Sequence, residues 1–139
     1  MALDLSSLQK AVSSLERAVK VASTMIKGAV DTDQEEVIRA GVIQNFEFTY
    51  ELCWKFIQRW IRENKTPEDA DNPRTRKELF RLAAEYGLIS DPLPWFDFGS
   101  ARNRTSHIYD EEIADEVYQA AVRFLPYAGE LLEALKAND

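Results

Sequence analysis

The sequence predicts an all-α fold: an up-and-down bundle of four main helices plus one short helix, in a single domain over residues 1–139. Three observations predict it. Apolar residues recur at steps of three and four along most of the chain, which marks one face of a helix. No stretch alternates strictly enough to read as a strand, and no segment repeats. The connections between the helical stretches are mostly short, which makes consecutive helices antiparallel neighbours.

In the first stretch, Leu5, Leu8, Val12, Leu15, Val19, Ala22 and Ile26 trace one apolar face. The spacing predicts a helix over about residues 4–27, with Asp4 or Ser6 capping its start and Gly28 followed by Asp31-Thr32-Asp33 ending it. A longer helix follows over about residues 34–64. Val37, Val42, Ile43, Phe46, Phe48, Tyr50, Leu52, Trp54, Phe56, Ile57, Trp60 and Ile61 cover much of its circumference. A helix this apolar is buried on more than one side, at the centre of the bundle or in an interface with a second copy. Its polar stripe is Gln44, Glu47, Glu51, Lys55, Gln58 and Arg62, and Glu51 and Lys55 have the favourable i,i+4 order for an ion pair.

Residues 64–73, Asn-Lys-Thr-Pro-Glu-Asp-Ala-Asp-Asn-Pro, read as an exposed loop, since prolines and Asn or Asp side chains oppose a helix. The next helix spans about residues 74–86, with Leu79, Phe80, Leu82, Ala83 and Tyr86 inward and Gly87 as its C-terminal cap. Arg74, Arg76, Lys77 and Arg81 crowd its first turns. Positive charge there opposes the helix dipole, so the group suits either a solvated face or an RNA- or partner-binding patch. Ser90-Asp91-Pro92 starts a short helix, read as about residues 94–104, which packs through Trp95, Phe96 and Phe98. Gly99-Ser100-Ala101 keeps part of it slim enough for close approach. Asp110 caps the last helix, over about residues 111–136, whose inward face reads as Ile113, Val117, Ala121, Val122, Leu125, Ala128, Leu132 and Leu135. Pro126 within it predicts a kink without a break.

Composition excludes several classes. A domain of 139 residues buries roughly two-thirds of the surface that its unfolded chain exposes, so neither disulfide nor metal is needed to fold it. The lone Cys53 has no internal partner and sits in an apolar run, where it reads as a buried thiol. One cysteine and one histidine leave a zinc site short of ligands; no metal and no cofactor are expected. A formal charge of −7 opposes indiscriminate nucleic-acid binding but permits a local basic patch. No apolar run approaches the ~20 residues of a membrane span. Met1-Ala2-Leu3-Asp4-Leu5 lacks the features of a signal peptide, so the cytoplasm and no membrane partner are expected.

The chemistry concentrates in Arg102-Asn103-Arg104-Thr105-Ser106-His107-Ile108-Tyr109-Asp110, which holds the only histidine. On one continuous helix Arg102 and His107 would point about 140° apart. Asp110 as a cap requires the helix to end between them, and the two side chains can then converge. A guanidinium binds phosphate oxygens in a two-pronged geometry and stabilises charge that builds on them. An imidazole titrates near neutral pH and moves a proton. Asn103, Arg104, Thr105 and Ser106 add groups able to bind or orient a phosphate. Tyr109, two residues past His107, can face the same side, where an attached nucleotide would block phosphate binding. Against this stands a plainer reading: Arg102 pairs with a bundle carboxylate, and His107 and Tyr109 cap and pack a helix junction. Spacing alone leaves both open.

Arg102-x4-His107-x-Tyr109 resembles the R-x4-H-x-Y motif of HEPN domains, and specifically the small prokaryotic HEPN proteins encoded beside a minimal nucleotidyltransferase, also called nucleotidyltransferase substrate-binding proteins. Phe46-Glu47-Phe48-Thr49-Tyr50-Glu51-Leu52-Cys53-Trp54-Lys55 is similar to that family's central-helix signature, and the resemblance covers nearly the whole chain. It implies a homodimer with the two motifs face to face, and a metal-independent RNase toxin using Arg102 and His107. It further implies an RNA substrate, transfer RNA among the candidates. The partner nucleotidyltransferase would act as antitoxin by attaching AMP to Tyr109. The same resemblance supports a second class: a non-catalytic subunit that binds nucleotide or presents substrate to the transferase.

Overall fold

The computed structural model describes residues 3–25 and 32–138. Within them the chain is helical throughout: α1 (Ser6–Met25), α2 (Thr32–Asn64), α3 (Pro67–Asp71), α4 (Arg76–Glu85), α5 (Pro92–Asn103) and α6 (Glu111–Asn138), with a 3-10 turn, Thr105–His107, between α5 and α6. The expected end of the first helix at Gly28 and Asp31 lies outside the described residues. At its start, Asp4 Oδ1 accepts from the Ser6 N–H at 3.0 Å.

The longest helix, α2, has 33 residues and is roughly 50 Å long. It is the central element, packed against α1, α3, α4, α5 and α6. Thr49, fully buried on it, donates to the Asn45 carbonyl at 2.7 Å and reaches the Ala11 carbonyl of α1 at 3.3 Å. A buried hydroxyl is thereby satisfied at the α1–α2 seam. Not every apolar residue of α2 points inward: Val37 and Phe48 are exposed, and Leu52 and Trp54 are half-buried. The expected Glu51–Lys55 pair does not form. Glu51 instead pairs with Arg102 and Arg76, while the Lys55 ammonium lies over the Trp54 ring, 5.7 Å from its centroid.

Residues 64–73 correct the sequence reading, since they contain a helix. Thr66 Oγ1 accepts from the Asp69 N–H at 3.0 Å, and Pro67 stands at the first helical position, where its missing N–H costs nothing. Ala70 is buried, and Gln58 Nε2 donates to its carbonyl at 3.1 Å, which fastens α3 to α2. The next start is a reciprocal cap. Thr75 Oγ1 accepts from the Glu78 N–H at 3.2 Å, and the Glu78 carboxylate accepts from the Arg74 N–H at 2.7 Å. Thr75→Ala is expected to cost about 1 kcal/mol, read as a fall in the urea midpoint at unchanged slope.

At the other end of α4, Gly87 adopts φ +80 and the Leu88 N–H reaches the Ala83 carbonyl at 2.9 Å. This left-handed cap is strained for any residue with a Cβ. Asp91 caps α5 through the Leu93 N–H, with Pro92 as the first helical residue, so α5 begins two residues earlier than read. Asp110 caps α6 as expected, accepting from the Glu112 and Ile113 N–H groups at 2.9 and 3.3 Å. The last helix runs unbroken through Pro126.

The core centres on a residue absent from the expected inward face. Phe124 of α6 is fully buried, with ring centroids 5.1 to 6.2 Å from those of Phe98, Phe46, Trp95 and Tyr50. Ala120 and Leu131 are buried with it, while Val122 and Leu125 are only half-buried. Gly99 of α5 faces this cluster. A Cβ there would lie 2.8 Å from Tyr50 Oη, so the slim part of α5 is where the tyrosine hydroxyl passes. Cys53 is buried, and burial pushes its thiol far above the ordinary range, which leaves no thiolate for chemistry.

Candidate functional site

The α5–α6 junction is built as the spacing required. Helix α5 ends at Asn103, the Arg104 N–H closes it onto the Ala101 and Arg102 carbonyls, and the 3-10 turn carries the chain through His107 to the Asp110 cap. Arg102 lies on the last turn of α5 and His107 at the end of the 3-10 turn. The helix has therefore been left between them, and the 140° divergence of a continuous helix does not apply.

Arg102 is held on three sides. Its Nε donates to Glu51 Oε1 at 3.1 Å, and its Nη1 donates to Thr105 Oγ1 at 3.2 Å and lies 3.6 Å from Glu47 Oε2. The Thr105 hydroxyl donates in turn to the Arg102 carbonyl at 2.8 Å. Among the described residues none pairs with Nη2, so that one nitrogen of the guanidinium remains for an anion. Arg102 also lines a hollow of about 400 Å³ with Glu47, Phe48, Glu51, Leu52 and Lys55 of α2.

His107 and Tyr109 form a separate pair. His107 Nδ1 lies 3.4 Å from the Tyr109 hydroxyl, and the rings meet edge to face with centroids 6.0 Å apart. Both side chains are exposed, Tyr109 at 82%. Among the described contacts no hydrogen bond joins Arg102 to His107. The plainer reading of the junction is thus half met: Arg102 does pair with bundle carboxylates, but His107 and Tyr109 are not packed into the bundle.

The remaining expected groups divide. Asn103 and Ser106 are exposed beside the motif. Arg104 is tied to Glu116 of α6, and Thr105 is buried and devoted to Arg102. The basic group on and just before α4 is not one patch. The Arg76 guanidinium stacks on Trp54 at 3.8 Å and lies 3.9 Å from Glu51. Lys77 and Arg81 sit over the Phe96 ring. Arg74 lines a neighbouring hollow with Trp54, Gln58 and Pro73.

Two residues escaped the sequence reading of the site: Glu47 and Glu51, which fix Arg102. Their signal is their own i,i+4 spacing, which puts two carboxylates on one face of α2 with a single local cation, Lys55, to meet them. Among the described residues no group of His, Cys, Asp or Glu is arranged to hold a metal ion, and no helix is long and apolar enough to cross a membrane.

Residues 3–137 match the family described as nucleotidyltransferase substrate binding protein like. The chain is similar to a Haemophilus influenzae protein named "Probable ribonuclease HepT", 36% identical over 105 residues, covering 76% of this chain and 72% of that protein. Its fold is similar to a Haemophilus influenzae structure described as the fold of a substrate binding domain of a nucleotidyltransferase. The TM-score is 0.88 at 34% identity, covering 96% of this chain and 99% of that one. A Thermus thermophilus structure aligns with TM-score 0.58 at 27% identity, over 88% of this chain and 96% of that one.

Proposed function

We propose a function from one premise: the chain belongs to the nucleotidyltransferase substrate binding protein like family. It is similar to a protein named "Probable ribonuclease HepT". From that premise we infer an endoribonuclease toxin that works without a metal and is controlled by a partner nucleotidyltransferase. The observation that carries this reading is the α5–α6 junction, where Arg102 keeps the Nη2 nitrogen of its guanidinium unengaged and His107 stands exposed a few residues away.

The chemistry follows from the groups. An RNA 2′-oxygen attacks the adjacent phosphorus, and an imidazole accepts the hydroxyl proton. The bond to the 5′-oxygen breaks and that oxygen takes a proton, leaving a 2′,3′-cyclic phosphate and a 5′-hydroxyl. The Arg102 guanidinium stabilises the charge on the non-bridging oxygens. Each chain carries one histidine, so a homodimer with the motifs face to face would supply both the base and the acid. Exposed Phe48, beside the Arg102 hollow on α2, offers an apolar contact for the second copy.

In this reading Tyr109 is the point of control. Its hydroxyl attacks the α-phosphorus of ATP on the partner enzyme, pyrophosphate leaves, and the phenolic proton passes to a base of that enzyme. The AMP then sits beside His107 and fills the phosphate position electrostatically. Tyr109→Phe should remain an RNase that the partner cannot silence. Mass spectrometry after incubation with partner and ATP should find no added AMP, and an AMP found on another residue would sink this assignment.

A second reading has an observation of its own. Glu47 and Glu51 both face Arg102, which reduces its pull on a phosphate and suits a subunit that only presents a nucleotide to the transferase. Glu51 separates the two. In the catalytic reading it is a positioning residue, and Glu51→Ala lets Arg102 swing by an ångström or more, lowering kcat/KM on the order of tenfold to a hundredfold. Glu51 accepts from Arg102 Nε on one oxygen and from Trp54 Nε1 on the other. Glu51→Gln keeps a single acceptor oxygen, which can serve Arg102 Nε alone, and should restore part of the rate. Wild-type protein that binds the transferase tightly yet cleaves no RNA in EDTA would favour the subunit.

A further inference from the structure

A cleft of about 560 Å³ opens between α4 and α5, within the roughly 300–1,000 Å³ range of small-ligand sites. Its walls carry three kinds of group. Arg76 and Lys77 of α4 supply cations, Phe96 of α5 supplies a half-buried ring, and Asp97, Ser100 and Asn103 supply polar edges. At the floor is Tyr50, whose phenol is pushed above its ordinary range by burial, against the pull of the Arg76 guanidinium. It stays a neutral hydroxyl.

Two links join this cleft to the motif. Asn103, which lines it, follows Arg102 directly in sequence. Arg76 lies 3.9 Å from Glu51, whose other oxygen holds Arg102 at 3.1 Å. Glu51 is thereby shared between the cleft wall, through Arg76, and the motif, through Arg102.

We propose that the α4–α5 cleft is a nucleotide subsite. Resting on the ribonuclease reading, it takes the residue of single-stranded RNA that flanks the phosphate bound at Arg102. Lys77 and Arg76 meet that residue's phosphate. Its base displaces the exposed Lys77 and Arg81 side chains that lie over the Phe96 ring in this structure and stacks there, and Asp97 and Asn103 accept from and donate to the base edge. Single-stranded RNA is read this way elsewhere: aromatic and guanidinium planes stack on splayed bases while polar groups contact their edges. The local cations also explain how a chain of net charge −7 engages a polyanion: attraction is local, at the cleft and at Arg102, on a surface of net negative charge.

The test is fluorescence anisotropy of a short labelled single-stranded RNA with the full chain carrying His107→Ala, so that binding is read without cleavage. Added to that background, Phe96→Leu should weaken binding about tenfold, the loss expected of one stacked base. Lys77→Ala, on an exposed side chain that the fold does not need, should reduce the slope of log affinity against log salt by about 0.7, one phosphate contact. Arg17→Ala, on the exposed side of α1, should change neither. If both cleft variants bind like the Arg17→Ala control, or if the RNA does not bind at all, the subsite is overturned. Cleavage by the chain with His107 intact is scored separately. Failure to cleave, with binding still dependent on Phe96 and Lys77, would remove the ribonuclease reading and leave the cleft.

Discussion

His107→Ala is expected to lower RNA cleavage by about 10²- to 10⁴-fold, the usual contribution of one positioned acid or base, while leaving the fold intact. The ring is exposed, and its only described partner is the Tyr109 hydroxyl at 3.4 Å, so the change in stability should stay within about 0.5 kcal/mol. That separation of effects makes it the decisive variant. Arg102→Ala would be harder to read. It removes the cation between Glu47 and Glu51 and leaves two like charges at i,i+4, so activity and stability would fall together. The measurement is cleavage of a labelled RNA in EDTA, with the 3′ ends identified by mass spectrometry. Equal cleavage by His107→Ala and wild type would remove His107 as the proton carrier and the mechanism with it.

Phe124→Ala is expected to destabilise the domain by about 3–5 kcal/mol, the range for emptying a buried phenylalanine site. The side chain is fully buried, with the rings of Phe46, Phe98 and Trp95 around it at centroid distances of 5.1 to 5.5 Å. These rings are carried by two other helices, α2 and α5, which cannot both collapse into the void. Because small domains hold about 5–15 kcal/mol in total, the loss is a large fraction, on the order of 10–20 °C in Tm. Phe124→Leu keeps most of the volume and should recover most of that loss. A calorimetric midpoint for Phe124→Ala within a few degrees of wild type would show that the aromatic cluster is not the centre of stability.

Much of this architecture was legible along the chain. Helix starts at Asp91 and Asp110 and the stop at Gly87 were marked by residues whose side chains or backbone freedom act within a few positions of themselves. The break between Arg102 and His107 followed from the same logic, because the Asp110 cap demanded it. Resemblance to a known family then implied roles for the junction that spacing alone left open.

Other features failed to show for reasons that are also physical. Residues 67–71 carry a proline and Asp side chains that locally oppose a helix, yet Thr66 caps them and Gln58 of α2 holds the Ala70 carbonyl. Packing against a neighbour overrode a weak local preference. On α6 the inward face was read through Val122 and Leu125, whereas Phe124 is the buried residue. A helix that meets several neighbours buries a broad stripe, and its periodicity does not say which edge of that stripe is deepest.

The site divides along the same line. The sequence by itself determined the helical class, the caps at Gly87, Asp91 and Asp110, and the clustering of Arg102, His107 and Tyr109 at one junction, because these depend on groups near one another along the chain. Only the tertiary structure decided that Glu51 serves Arg102 and Arg76 in place of Lys55. A local i,i+4 pair is worth only a few tenths of a kcal/mol, and a half-buried carboxylate goes to whichever cations the packing of α2, α4 and α5 brings against it. The cleft between α4 and α5 was decided there too, since its walls and its Tyr50 floor meet only when those two helices are laid side by side across α2.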